Sequence, residues 1–170
     1  MPKSSEDHAS DRALRDLLIA QLEGGHAHAT LADALEGFPA EMRGVRPDGA
    51  AHSAWQVMEH LRITQWDIVE FTRDPVHRSP AWPEGYWPSE AEPPSEDSWD
   101  TSVREFELEL GEMKGLLANS SRPLFVQVDH PDAKPHHTLA REAMVLAVHN
   151  GYHISELIML RRLLGVWPSS

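Results

Sequence analysis

Apolar residues recur along this chain at steps of three and four in four separate runs, and each run reads as an amphipathic helix. The last is the longest. From Thr138 to Val166 the residues Leu146, His149, His153, Leu157, Leu160 and Leu164 follow one another on a single face, behind Thr138 as a cap. The third run extends from about Ser95 to Ala118. Its Trp99, Val103, Phe106, Leu110, Met113 and Leu117 alternate steps of four and three, the seam of a helical bundle. The second extends from Ser53, a good N-cap, to Arg73, with Pro75 just past its end. Val57, His60, Thr64, Ile68 and Phe71 form its stripe. The first begins near Ser10 and carries Leu14, Leu18, Leu22, Ala29, Ala32 and Leu35. Gly24 and Gly25 interrupt it and mark a kink or a close helix contact.

The connections differ in character. Residues 37–51 are a loop with three glycines and two prolines. Residues 74–94 hold six of the 13 prolines together with Trp82, Tyr86 and Trp87. An irregular stretch of that length reads either as a crossover along the bundle flank or as a wall over a pocket. Residues 123–128, PLFVQV, read as a short extended segment, and HPDAKPHH after it as a turn-rich loop. The expected fold is all-α, a four-helix bundle with a long crossover between helices two and three. Residues 1–10 are expected to be a flexible tail and residues 11–167 one domain.

Charge and composition narrow the partners. The net charge is −12, from 27 acids against 15 bases, which disfavours a phosphate backbone and hence nucleic acid. No run of 18 apolar residues offers a membrane span, and the polar start MPKSSEDHASDR lacks a signal-peptide core, so a cytoplasmic protein is expected. There are no cysteines, which removes disulfides, thiolate ligands and cysteine nucleophiles together. Any metal must be held by histidine, carboxylate or water.

The 11 histidines are therefore sorted by spacing. His149 and His153 stand four apart on an inward stripe and supply two ligands from one helix. His60, on the inward stripe of the second helix, is the best placed third. The competing reading is three neutral core histidines, each bonded to a buried polar group. His28 lies near the first stripe and His26 off it. His8 falls in the tail, His77 is expected at the surface, and His130, His136 and His137 in a loop. The zinc-protease form needs a glutamate directly after the first histidine, and that position is Asn150.

SAWQVMEHL at 53–61, REAM at 141–144 and HNGYHISELIMLRRLLG at 149–165 together resemble the DinB-like superfamily of bacterial four-helix bundles, and residues 11–167 fit its layout. The resemblance implies a divalent metal, zinc or nickel, on His60, His149 and His153, and a homodimer. It also implies relatives that transfer low-molecular-weight thiols such as bacillithiol or mycothiol to electrophiles. Where many members read His-x-Gly-Gln, this chain reads His153-Ile154-Ser155-Glu156, which adds a negative charge near the metal if Glu156 faces inward. The expected function is a metal-dependent transferase acting on a small-molecule substrate with an external thiol. Glu156 or Glu142 is the candidate orienting group or general base. The alternatives are a metal-dependent hydrolase and a non-enzymatic, metal-stabilised binding or stress-response module.

Overall fold

A computed structural model describes residues 5–168 of the 170. Among them the regular structure is all helical: α1 (Ser5–Glu23), α2 (Leu31–Leu35), α3 (Ala54–Arg73), α4 (Ser98–Ala118) and α5 (Leu139–Leu163), with single 3-10 turns at Ala40–Met42 and Glu84–Tyr86. The long helices pack α3 against α4 and α5, and α1 against α4 and α5, while α2 lies on α5. No helix among the described residues is long and apolar enough to cross a membrane.

Local chemistry explains where the helices start. Ser53 accepts from the Gln56 amide while the Gln56 side chain accepts from the Ser53 amide, a complete capping box that fixes the phase of α3. Thr138 caps α5 through the Arg141 amide, as the sequence predicts. The third predicted helix begins three residues later than expected. Ser95 and Ser98 bond each other through their hydroxyls at 2.7 Å, and α4 opens only at Ser98.

The first predicted helix is two helices. Gly24 and Gly25 both have positive φ, 73° and 78°, a region that L-residues with side chains rarely occupy, so the chain turns there instead of kinking. Residues 5–10, expected in the tail, form the opening turns of α1, and residues 1–4 lie outside the described part. The segment expected to be extended makes only a single bridge, Gln127 to Thr138.

The core has two parts. Trp55, Met58, Leu61, Phe106, Leu157 and Leu160 centre one, which α2 and Phe38 close; Leu18, Leu22, Val69, Met113, Leu117 and Leu146 centre the other. Between them along α3 and α5 stand Gln65 and Asn150. The Asn150 amide donates to Gln65 Oε1 at 2.8 Å, and Gln65 Nε2 donates to the Phe106 carbonyl, so one buried polar ladder joins α5, α3 and α4. The bonds offset the cost of burying two amides and fix the register of the three helices.

Two buried arginines gather the carbonyl ends of helices, where acceptors have no partner within the helix. Arg15 donates to the carbonyls of Leu117, Asn119 and Arg122 at the end of α4, and to Asp11. Arg161, 1% exposed, donates to Ala34, Glu36 and Val166, with its guanidinium beside the rings of Phe38 and Trp167. Arg161→Met keeps most of the stem but leaves those carbonyls without a donor. The expected loss is about 2–4 kcal/mol, read as a lower urea midpoint at unchanged slope.

Candidate metal centre

The capping box of α3 places His60 on the face turned towards α5, and the 25-residue helix α5 presents His149 and His153 one turn apart. The three rings converge, with centroids 5.0 Å apart for His60 and His149 and 4.6 Å for each of the other two pairs. One ring nitrogen from each lies within 4.8 Å of the others, and no fourth His, Asp or Glu joins this cluster among the described residues. His60 and His153 are buried, and His149 is half-buried.

Hydrogen bonds set which nitrogen of each ring is free. His60 Nδ1 donates to the Tyr86 carbonyl at 2.9 Å, so its Nε2 carries the lone pair. His153 Nδ1 donates to Glu156 Oε2 at 2.8 Å, which likewise leaves Nε2 as the ligand atom. Glu156 does face inward. Its carboxyl is held below the usual range, first by the hydrogen bond from His153, against the opposing effect of burial. The His149 and His60 Nε2 atoms face each other at 3.1 Å. With the His60 proton on Nδ1, that pair is attractive only if His149 supplies a proton or a cation lies between. Two nitrogens on one tetrahedral ion at 2.0–2.1 Å are about 3.3 Å apart. Buried His149 Nδ1 has no hydrogen-bond partner.

Desolvation keeps His60 and His149 neutral. Burial lowers His60 to about 4, against the opposing pull of the Tyr86 carbonyl. Burial also lowers His149 to about 4, reinforced by His153 and His60. Neutral imidazole is the form that binds metal. Three converging nitrogens, two with tautomers set by outer acceptors, could hold a divalent cation, so the donor set fits the group.

Two aromatic residues flank the cluster. Trp87 stacks on His60 at 3.8 Å, with His52 stacked on its other face at 3.8 Å. Tyr152 meets His153 edge to face at 4.8 Å. Beside them an open groove of about 700 Å³ runs along α5 over Met144, Val145, Val148, Tyr152 and Phe125, with His149 in its wall.

The other candidates fall elsewhere. Glu142 is buried in the first turn of α5, bonded by Arg141, and burial raises its pKa; it does not join the histidine cluster. His28 packs against Gly24 and Gly151. His77, expected at the surface, is buried, because its Nε2 donates to Asp67 at 2.7 Å. His130 is buried too and donates to the His77 carbonyl. Of the three aromatics in the connection between α3 and α4, Tyr86 is buried, Trp87 half-buried and Trp82 73% exposed. Sequence reasoning missed His52, Asp67 and the Tyr86 carbonyl. Asp67 had a signal: it lies seven residues after His60, on the same face of α3.

No protein-family model, no curated protein and no solved structure matches this chain.

An unfolded histidine titrates near 6.5, and His60 and His149 in the fold near 4. Between those values the unfolded chain binds protons that the folded chain refuses. Their contribution to stability is therefore complete above about pH 6.5 and is lost as pH falls towards 4. Glu156 acts in the same sense at lower pH, and Glu142 in the opposite sense. The urea midpoint of metal-free protein is expected to fall from about pH 7.5 to about pH 4.5, and to fall less steeply in His149→Gln. Equal slopes for the two proteins would contradict the neutral, desolvated state of His149.

Proposed function

We propose that this chain is a DinB-like, divalent-metal-dependent transferase that joins a low-molecular-weight thiol to an electrophilic small molecule. The observation that carries the reading is the three-nitrogen cluster of His60, His149 and His153, which has no fourth protein ligand among the described residues and lies beside an open apolar groove. Structural zinc sites close with four protein ligands, whereas catalytic sites use three and keep one position free. A closed, metal-stabilised module would have no use for the groove. Zinc or nickel suits an all-histidine set. On this reading α1, α3, α4 and α5 form the family's four-helix bundle, residues 74–97 are its crossover, and the protein is a homodimer.

A divalent cation held by these residues would supply Lewis acidity, which lowers the pKa of a thiol towards neutral pH. The chain supplies no sulfur of its own, having no cysteine, so the thiol comes from outside. The thiol loses its proton to solvent, its sulfur bonds the electrophilic carbon, and the leaving group departs with the electrons of the bond that breaks. His60, His149 and His153 would hold the cation. Glu156 keeps the His153 proton on Nδ1 and so directs Nε2 at the site. Met144, Val145, Val148 and Tyr152 offer the apolar body of the electrophile a largely exposed apolar surface next to His149, which its binding would cover.

Protein purified without nickel columns is expected to contain about one equivalent of metal per chain by elemental analysis. Zinc at 100 times its Kd should add about 2.7 kcal/mol of stability, a rise in Tm of about 5–10 °C for a chain of this size. Both effects should vanish in His149→Ala. If that variant keeps the metal content and the melting temperature of the wild type, the site is wrong. Consumption of a chloronitrobenzene with bacillithiol, mycothiol or glutathione should depend on the metal. Lack of metal-dependent turnover with every thiol would leave the site and remove the transferase, and light scattering decides the dimer.

A further inference from the structure

The centre of α3 carries a second polar cluster, which the reading above does not use. Asp67 is buried two turns along α3 from His60 and on the same face. Both of its oxygens are engaged: Tyr86 Oη donates to Oδ2 at 2.6 Å, and His77 Nε2 donates to Oδ1 at 2.7 Å. Tyr86 and His77 are each 8% exposed, and both belong to the crossover between α3 and α4. Burial raises the Tyr86 hydroxyl's pKa, and the bond to Asp67 raises it further, so this hydroxyl remains a donor. The main-chain carbonyl of the same Tyr86 accepts the Nδ1 proton of His60. Tyr86 therefore spans two points on one helix, its phenol fastened at Asp67 and its backbone at His60. The next residue, Trp87, lies flat on the His60 ring at an interplanar angle of 4°. From outside, the His130 ring donates to the His77 carbonyl and accepts from the Asp132 amide, which ties the loop before α5 to the same crossover.

We propose that Asp67, Tyr86 and His77 are positioning residues for His60. They pin the crossover so that the Tyr86 carbonyl holds the His60 proton on Nδ1 and aims the Nε2 lone pair at His149 and His153. The irregular crossover is then part of the metal centre although it contributes no ligand. Asp67 serves as its anchor on α3, and His77 occupies the carboxylate oxygen that Tyr86 leaves, so the anchor cannot turn away. The value of this arrangement for metal binding rests on the metal reading above; its effect on the His60 ring does not, because every bond in it is present without a cation.

The test uses the full chain with Tyr86→Phe and Asp67→Asn, and Leu117→Ala as a control in the distant part of the core. Imidazole nitrogen resonances of the metal-free proteins report the His60 tautomer, and competition with a chromophoric chelator reports zinc affinity. Wild type and Leu117→Ala are expected to hold His60 in the Nδ1–H form with equal zinc affinity, although Leu117→Ala melts earlier. Tyr86→Phe and Asp67→Asn should populate the Nε2–H form and bind zinc about 10–100-fold more weakly, the range for lost outer partners of a ligand histidine. Restoring a carboxylate with Asp67→Glu should recover part of the Nδ1–H population. The proposal is overturned if Tyr86→Phe and Asp67→Asn leave the tautomer as in wild type, or if Leu117→Ala shifts it as much as they do. A wild type that binds no zinc would remove the metal reading, and the tautomer populations would still decide this one.

Discussion

Three imidazoles with ring nitrogens within 4.8 Å of one another in a desolvated pocket cannot all carry a positive charge, and much of the structure near them follows from that limit. Burial drives His60 and His149 towards the neutral state, and like-charge crowding among the three adds to it. Each neutral ring then needs somewhere to place its single proton. The Tyr86 carbonyl takes the one on His60, and the Glu156 carboxylate takes the one on His153. What is left is a set of ring nitrogens close enough together that they could hold a divalent cation. The crossover, the capping box of α3 and the glutamate one turn past His153 are all arranged around those protons.

The helices and the three histidines were legible because their signals are local. A seam such as Trp99 to Leu117 needs only the 3.6-residue period to be read, and the caps at Ser53 and Thr138 need only the next turn of chain. The break at Gly24 and Gly25 was half legible. The glycines were visible, but the apolar spacing resumes at Ala29 as though the helix continued, and only the positive φ of both residues reveals the turn. Burial of His77 and His130 was not legible. Both stand in proline-rich loops that read as surface, and their partners, Asp67 and the His77 carbonyl, are supplied by tertiary packing. The stack of His52, Trp87 and His60 is of the same kind, since it brings together residues from before α3, within α3 and from the crossover.

The site also divides the residues of the notable His-x-x-x-His helix by duty. On α5 the face holding His149 and His153 looks to His60, and Asn150 behind them enters the polar ladder through Gln65 to α4. Gly151 leaves room for His28: a Cβ there would come within 2.9 Å of that ring. One turn of helix thus bears on the histidine cluster, the core and the loop before α2 at once.

The placing of two of the three histidines on one helix has a consequence for how the chain would acquire a cation. His149 and His153 are set by a single helical turn, so they form a two-armed claw as soon as α5 does, before any distant contact is made. His60 is 89 residues away from His149 and arrives only when α3 docks. A cation caught early by the claw would reward that docking with a third bond, offsetting part of the loop-closure entropy that so long a separation costs. Metal uptake and the last stage of assembly would then be one event, and the order in which the helices come together would depend on the ion supply.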